Sequence, residues 1–293
     1  MKIRLFAVLL AGGLMLSGCE QDARETAMPA GGPTPSPAVD TPKLAQDEEP
    51  SYLTATIVDG AETGALLLAG EDAFDVYTLS AKDLPVWIDG VECDASALQN
   101  GMVVELAFNG YIAESFPAQP GPAYSLTVLE EGTDYCTLWL QVLEDLWEVD
   151  SGLNGGITQV GVDLSQATGL TEGERSAVAW AFGQTHGLTA VTGTLEELWE
   201  EGYFTPATEP AEGYNDSLAL YWWEDGVHFS IDVEEEAVWS LPDLGPGEEP
   251  PLLVAFDAQK WRSGLGAYFF ADCVAQRWEN GPWTYTVGSE AIS

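Results

Sequence analysis

Positive charge is scarce in this chain. Nine Lys and Arg stand against 48 Asp and Glu in 293 residues, a formal net charge of −39. Nucleic-acid binding needs clustered Lys and Arg, so a surface of this sign repels nucleic acid, and it repels an anionic lipid surface as well. Histidine is scarcer still, with only two, His186 and His228. Cysteine occurs four times and never as Cys-x-x-Cys, which removes zinc knuckles and dithiol redox motifs. No Gly-x-Ser-x-Gly, His-Glu-x-x-His or phosphate loop is present. The longest apolar run falls short of the roughly 20 residues that span a bilayer as a helix. Apolar material is not lacking: hydrophobic residues make up 46 % and aromatics 11 %, with 11 Trp, enough for real cores.

That longest run lies at the amino terminus. Lys2 and Arg4 precede the apolar stretch Leu5–Met15, and Leu16-Ser17-Gly18-Cys19 follows. A basic start, a short apolar core and small residues form a secretory signal, expected over 1–19. Leu16-Ser17-Gly18-Cys19 resembles the bacterial lipobox, which implies diacylation of Cys19 and a lipid-anchored protein on the extracytoplasmic face of the cell membrane. Each buried CH₂ contributes about 0.8 kcal/mol, so two chains anchor where one would not. Residues 20–50 read as a disordered linker, because the stretch 28–42 is rich in Pro, Gly, Ser and Thr and has almost nothing to bury.

Over 51–131 short strands and turns alternate. Tyr52–Asp59, Gly64–Gly70, Phe74–Ser80 and Met102–Phe108 read as strands, with hairpin signals at Asp89-Gly90 and Asn109-Gly110. This spacing predicts a small barrel or sandwich. The stretches Leu98-Gln99-Asn100-Gly101-Met102-Val103-Val104-Glu105 and Asn109 to Gln119 resemble an OB-fold-like β-barrel domain of exported Gram-positive proteins. The resemblance implies a fold and no activity. OB folds often take oligonucleotides or oligosaccharides; charge disfavours the first, and Tyr111 or Phe116 would either stack on a sugar or pack the barrel.

Residues 132–293 read as an α+β domain with antiparallel strands, making the chain α+β overall. Apolar positions 139, 142, 143 and 146 have helical spacing. Thr171 with Glu174 and Thr194 with Glu197 form capping boxes, and Gly187 suits a helix end. Strands are expected over 218–224 and 227–233 around an Asp225-Gly226 hairpin, and then over 252–256, 267–278 and 283–287. The stretches from Lys260 to Tyr268 and Trp283 to Gly288 resemble C-terminal regions of uncharacterised Gram-positive lipoproteins.

The candidate residues are few. Apart from Cys19, three cysteines remain: Cys93, Cys136 and Cys273. Cys136 and Cys273 either form a disulfide, being in one domain at core-facing positions, or pack as reduced hydrophobes. Lys260, Arg262 and Arg277 concentrate positive charge as an anion-binding pocket or as structural ion pairs. Asp150 to Ile157 partly matches a calcium loop, but Gly161 stands where its final Glu is needed, so a turn is favoured and no metal or cofactor is expected. No catalytic residue stands out. The sequence therefore points to a non-enzymatic binding or interaction module with an unknown protein, peptide or glycan partner. The alternatives are an accessory subunit of an envelope complex and a hydrolase using a carboxylate pair.

Overall fold

The computed structural model describes residues 49–206, 221–234, 250–279 and 281–293. The expected signal peptide, Cys19 and nearly all of the linker lie outside the described residues. So does the start of the strand expected over 218–224. The described residues belong to one compact unit, Asp47–Ser293.

The first half supplies β1 (Ser51–Asp59), β2 (Ala65–Ala69), β3 (Val76–Ser80), β4 (Val86–Ile88), β5 (Val91–Cys93), β6 (Met102–Phe108), β7 (Ile112–Ala113), β8 (Gln119–Pro120) and β9 (Ala123–Glu131). Seven of them form a sheet in the order β3-β2-β1-β6-β9-β4-β5, while β7 and β8 pair only with each other. The Asp89-Gly90 signal gives a two-residue turn with both φ positive, 52° and 76°, closing β4 on β5. The expected closed barrel is not formed. The outer edge of β3 is taken by the chain at Ala118, which exchanges backbone hydrogen bonds with Val76 and Thr78, so β5 does not meet it. With three residues and an exposed face, β5 ends the sheet as an open edge.

The run Leu66-Leu67-Leu68 has an unusual place. Leu66 and Leu68 enter one apolar cluster with Ile57, Val104 and Leu126. Leu67, with Val58, Ala69 and Val76, enters a second cluster on the opposite face. Strand side chains alternate between faces, so an unbroken apolar run marks a strand buried on both.

That second cluster joins the halves. α1 (Tyr135–Glu148) contributes Trp139, Val142, Leu143 and Leu146, the residues whose spacing predicted a helix. It begins at Tyr135, where Asp134 caps it, accepting from the Thr137 N–H at 3.0 Å. After β10 (Gln159–Gln166) comes α2 (Glu172–His186), with the Thr171–Glu174 capping box formed and Gly187 left-handed at φ 68°. β11 (Thr189–Thr192) leads to α3 (Leu195–Glu200), whose Thr194–Glu197 box is also formed. α1 and α2 each touch strands of both sheets, so they form a middle layer between them. At the start of α2, Thr171 donates to the Gly70 carbonyl at 2.7 Å. A Cβ on Gly173 would stand 2.5 Å from that oxygen, so only glycine allows this approach.

The remaining strands are β12 (Thr205–Pro206), β13 (Tyr221–Trp222), β14 (Gly226–Val233), β15 (Leu252–Ser263), β16 (Gly266–Arg277), β17 (Thr284–Thr286) and β18 (Ser289–Ile292). The second sheet is mixed. β11, β10 and β14 run parallel, while β14, β15 and β16 pair antiparallel. The Asp225-Gly226 hairpin is not formed: β14 has β10 on one side and β15 on the other, so β13 pairs with β12 and the far end of β15 instead.

Candidate functional site

The three cations singled out in sequence bind backbone, not anions. Lys260 lies on β15 with no exposed surface. Its Nζ donates to the carbonyls of Trp147, Val149 and Asp150 at 3.1, 2.8 and 3.3 Å, at the carboxyl end of α1. The rings of Trp147 and Phe229 flank it at 5.8 and 5.9 Å. Burial pushes its pKa down to about 8, against the Asp150 and Glu148 carboxylates. Arg262 donates to the carbonyls of Trp223, Leu153, Gly155 and Glu224, and Arg277 to that of Gly281. Among the described residues these three cations make no carboxylate ion pair; backbone carbonyls are their partners instead. Loop and helix-end carbonyls lack partners of their own, and these cations supply them.

The cysteines are likewise structural. Cys136 in the first turn of α1 and Cys273 on β16 are both buried in the middle cluster, and both are free thiols, so the Cys136–Cys273 bridge is not present. Burial raises both pKa values, Cys273 to about 11. The calcium-like stretch folds as a single 3₁₀ turn, Ser151–Asn154, and no metal-binding group of three acidic, His or Cys side chains occurs among the described residues. His186 bonds Glu144 at 2.9 Å and stacks on Trp147. His228 is buried with its Nε2 on the Gly193 carbonyl at 2.9 Å, and burial lowers its pKa. Asp134, raised by burial, has an oxygen committed to the α1 cap.

A trough runs where β11 ends the second sheet. The N–H groups of Thr189 and Gly193 donate to Thr158 and Val162 across β10. By alternation, those of Ala190 and Thr192 point away from the sheet, along an edge no described strand covers. Beside this edge lies a groove of about 470 Å³ lined by Trp180 of α2, Leu188, and Phe74 and Phe116 from loops of the first sheet. Phe74 is 83 % and Phe116 51 % exposed. Ala73, Ser176 and Thr192 continue the groove into a second cleft, about 370 Å³, at the carboxyl ends of β10 and β11. Among the described residues, Asp163, Glu172, Glu197 and Glu201 line it with one cation, Arg175.

Compared with protein-family models, with curated proteins and with solved structures, the chain matches none. The chemistry of the trough rests on its own atoms. An open strand edge offers main-chain hydrogen bonds to an extended chain, aromatic walls accept alternate side chains, and clustered carboxylates favour positive charge. Of these residues, sequence reasoning had singled out only Phe116 as an exposed aromatic; Glu197 entered it as a capping residue and Phe74 as the start of a strand. The structure begins that strand at Val76, which leaves Phe74 on the loop before it. Thr192 carries no local signal, because which strand ends a sheet is decided by distant pairing.

Proposed function

We propose that this chain is a lipid-anchored, extracytoplasmic binding module that captures an extended, positively charged polypeptide segment along the free edge of β11. The open edge of Ala190 and Thr192, walled by Phe74 and Phe116 and ending among four carboxylates, is the observation that supports this reading. Lipid on Cys19 and a Pro-rich spacer would hold the trough away from the membrane. The acidic surface would steer basic partners to it and repel acidic ones, an effect that weakens with salt.

Two experiments test the two parts separately. Cys19→Ser is expected to move the protein from the membrane fraction to the medium; retention on membranes would refute the anchor. For capture, an alternating Lys/Val peptide should bind the full chain in fluorescence anisotropy, and a Glu/Val peptide should not. Thr192→Pro removes an outward N–H without touching the β10 ladder, since proline is tolerated on a strand's solvent edge. It should weaken binding about tenfold, equivalent to roughly 1.4 kcal/mol, while leaving the unfolding midpoint in place. Equal binding by wild type and Thr192→Pro would remove the strand edge from the reading.

A further inference from the structure

Five cations lie among the described residues: Lys82, Arg175, Lys260, Arg262 and Arg277. Lys82 is exposed, and three hold backbone carbonyls. Arg175 differs from all of them. It is half-buried one turn into α2, with its Nε closed off from solvent. Among the described residues its side chain has no hydrogen-bond acceptor, and no carboxylate lies within 4.0 Å. In so acidic a chain, a guanidinium left without an anion is one whose geometry keeps neighbouring acids away. With its Nε held out of solvent, Arg175 lines the acidic cleft on one side and a second cleft on the other.

This second cleft, about 610 Å³, lies at the carboxyl ends of the adjacent parallel strands β10 and β14. Open sheets with parallel strands take ligands in that position. Hydroxyls of Ser165, Thr168 and Tyr135 line it, with Glu234 the one acid among the described residues. We infer that Arg175 and this cleft form a binding site for a singly charged carboxylate. The planar guanidinium matches a carboxylate in a two-bond fork. One guanidinium balances one negative charge. Glu234 and the carboxylates of the adjoining cleft would leave a phosphate dianion's second charge uncompensated. The site adjoins the acidic end of the β11 trough through Arg175, but acetate binding in this cleft does not require the β11 edge and is tested apart from capture there.

The test follows the Nε–Hε resonance of Arg175 in the full chain labelled with ¹⁵N-arginine, assigned through its backbone so that no variant is required. Acetate, phosphate and chloride are added at matched ionic strength, and thermal unfolding is recorded in parallel. Acetate should move the resonance saturably and raise the midpoint by about 5 °C at a hundredfold excess over its dissociation constant. Phosphate and chloride should do neither, and Arg175→Lys, which keeps the charge and loses the fork, should abolish the acetate-dependent rise in the midpoint. An unmoved resonance, or equal movement with all three salts, overturns the proposal and leaves water as the partner. N-acetyl-diglycine and its amide separate the sources. Tighter binding of this acid than of acetate assigns a polypeptide carboxyl terminus, and equal binding assigns a small free acid.

Discussion

Lys260→Met is expected to lower the unfolding free energy by about 3–5 kcal/mol, since each carbonyl left without a donor costs roughly 1–3 kcal/mol. Methionine fills the space but leaves three carbonyls at the end of α1 without a donor. Its pH dependence is distinctive. Folded Lys260 loses its proton near pH 8, whereas unfolded lysine keeps it to about 10.5. Between those values the unfolded state binds more protons, so stability attributable to Lys260 rises with pH, by up to about 1.4 kcal/mol per unit. The gap between wild type and Lys260→Met should therefore widen by about 2 kcal/mol from pH 7 to 9.5. Tyr77, pushed up to about 12, and Tyr285, also raised, act in the opposite sense above pH 10, but equally in both proteins. Denaturant titrations of both proteins at the two pH values measure the gap. A constant or narrowing gap would mean that Lys260 is not the buried, charged clamp described.

Trp139→Ala is expected to cost about 3–5 kcal/mol, as a large buried aromatic lost from a core. Trp139 is fully buried between the sheets, edge-on to Phe256 at 5.4 Å, and its Nε1 donates to the Thr168 carbonyl at 3.1 Å. Trp139→Phe keeps most of the apolar volume and loses the hydrogen bond, so it should cost less, about 1–2 kcal/mol. Thr168 lies in the loop that walls the Arg175 cleft. The milder variant should thus perturb the Arg175 resonance while remaining folded, which a purely volumetric role for Trp139 would not do. A loss below about 1 kcal/mol for Trp139→Ala would contradict its place at the centre of the middle layer.

What was legible in the sequence was local. Both capping boxes, the left-handed Gly187 and the Asp89-Gly90 turn rest on contacts between residues at most a few positions apart. Asp225-Gly226 has the same turn chemistry, yet the strands it separates do not pair, because β14 already has two partners distant in sequence. The barrel failed for a similar reason: a loop residue, Ala118, occupies the edge on which closure depended. The cluster Lys260, Arg262 and Arg277 was misread because a sequence displays charges but not unsatisfied carbonyls, and those are what the three side chains meet. Arg175 drew no attention because nothing beside it in the chain sets it apart; its isolation exists only in three dimensions.

Burial of β2 on both faces also dictates an order of events as the chain emerges. The first sheet can close over Leu66 and Leu68 as soon as β9 is made, using residues already present. Its other face, with Val58, Leu67, Ala69 and Val76, is covered by residues from beyond β9, chiefly in α1 and α2. Until then that face stays sticky, of the kind that makes incomplete chains associate. A chain delivered amino terminus first would need a holding partner, or rapid delivery, until α2 has followed.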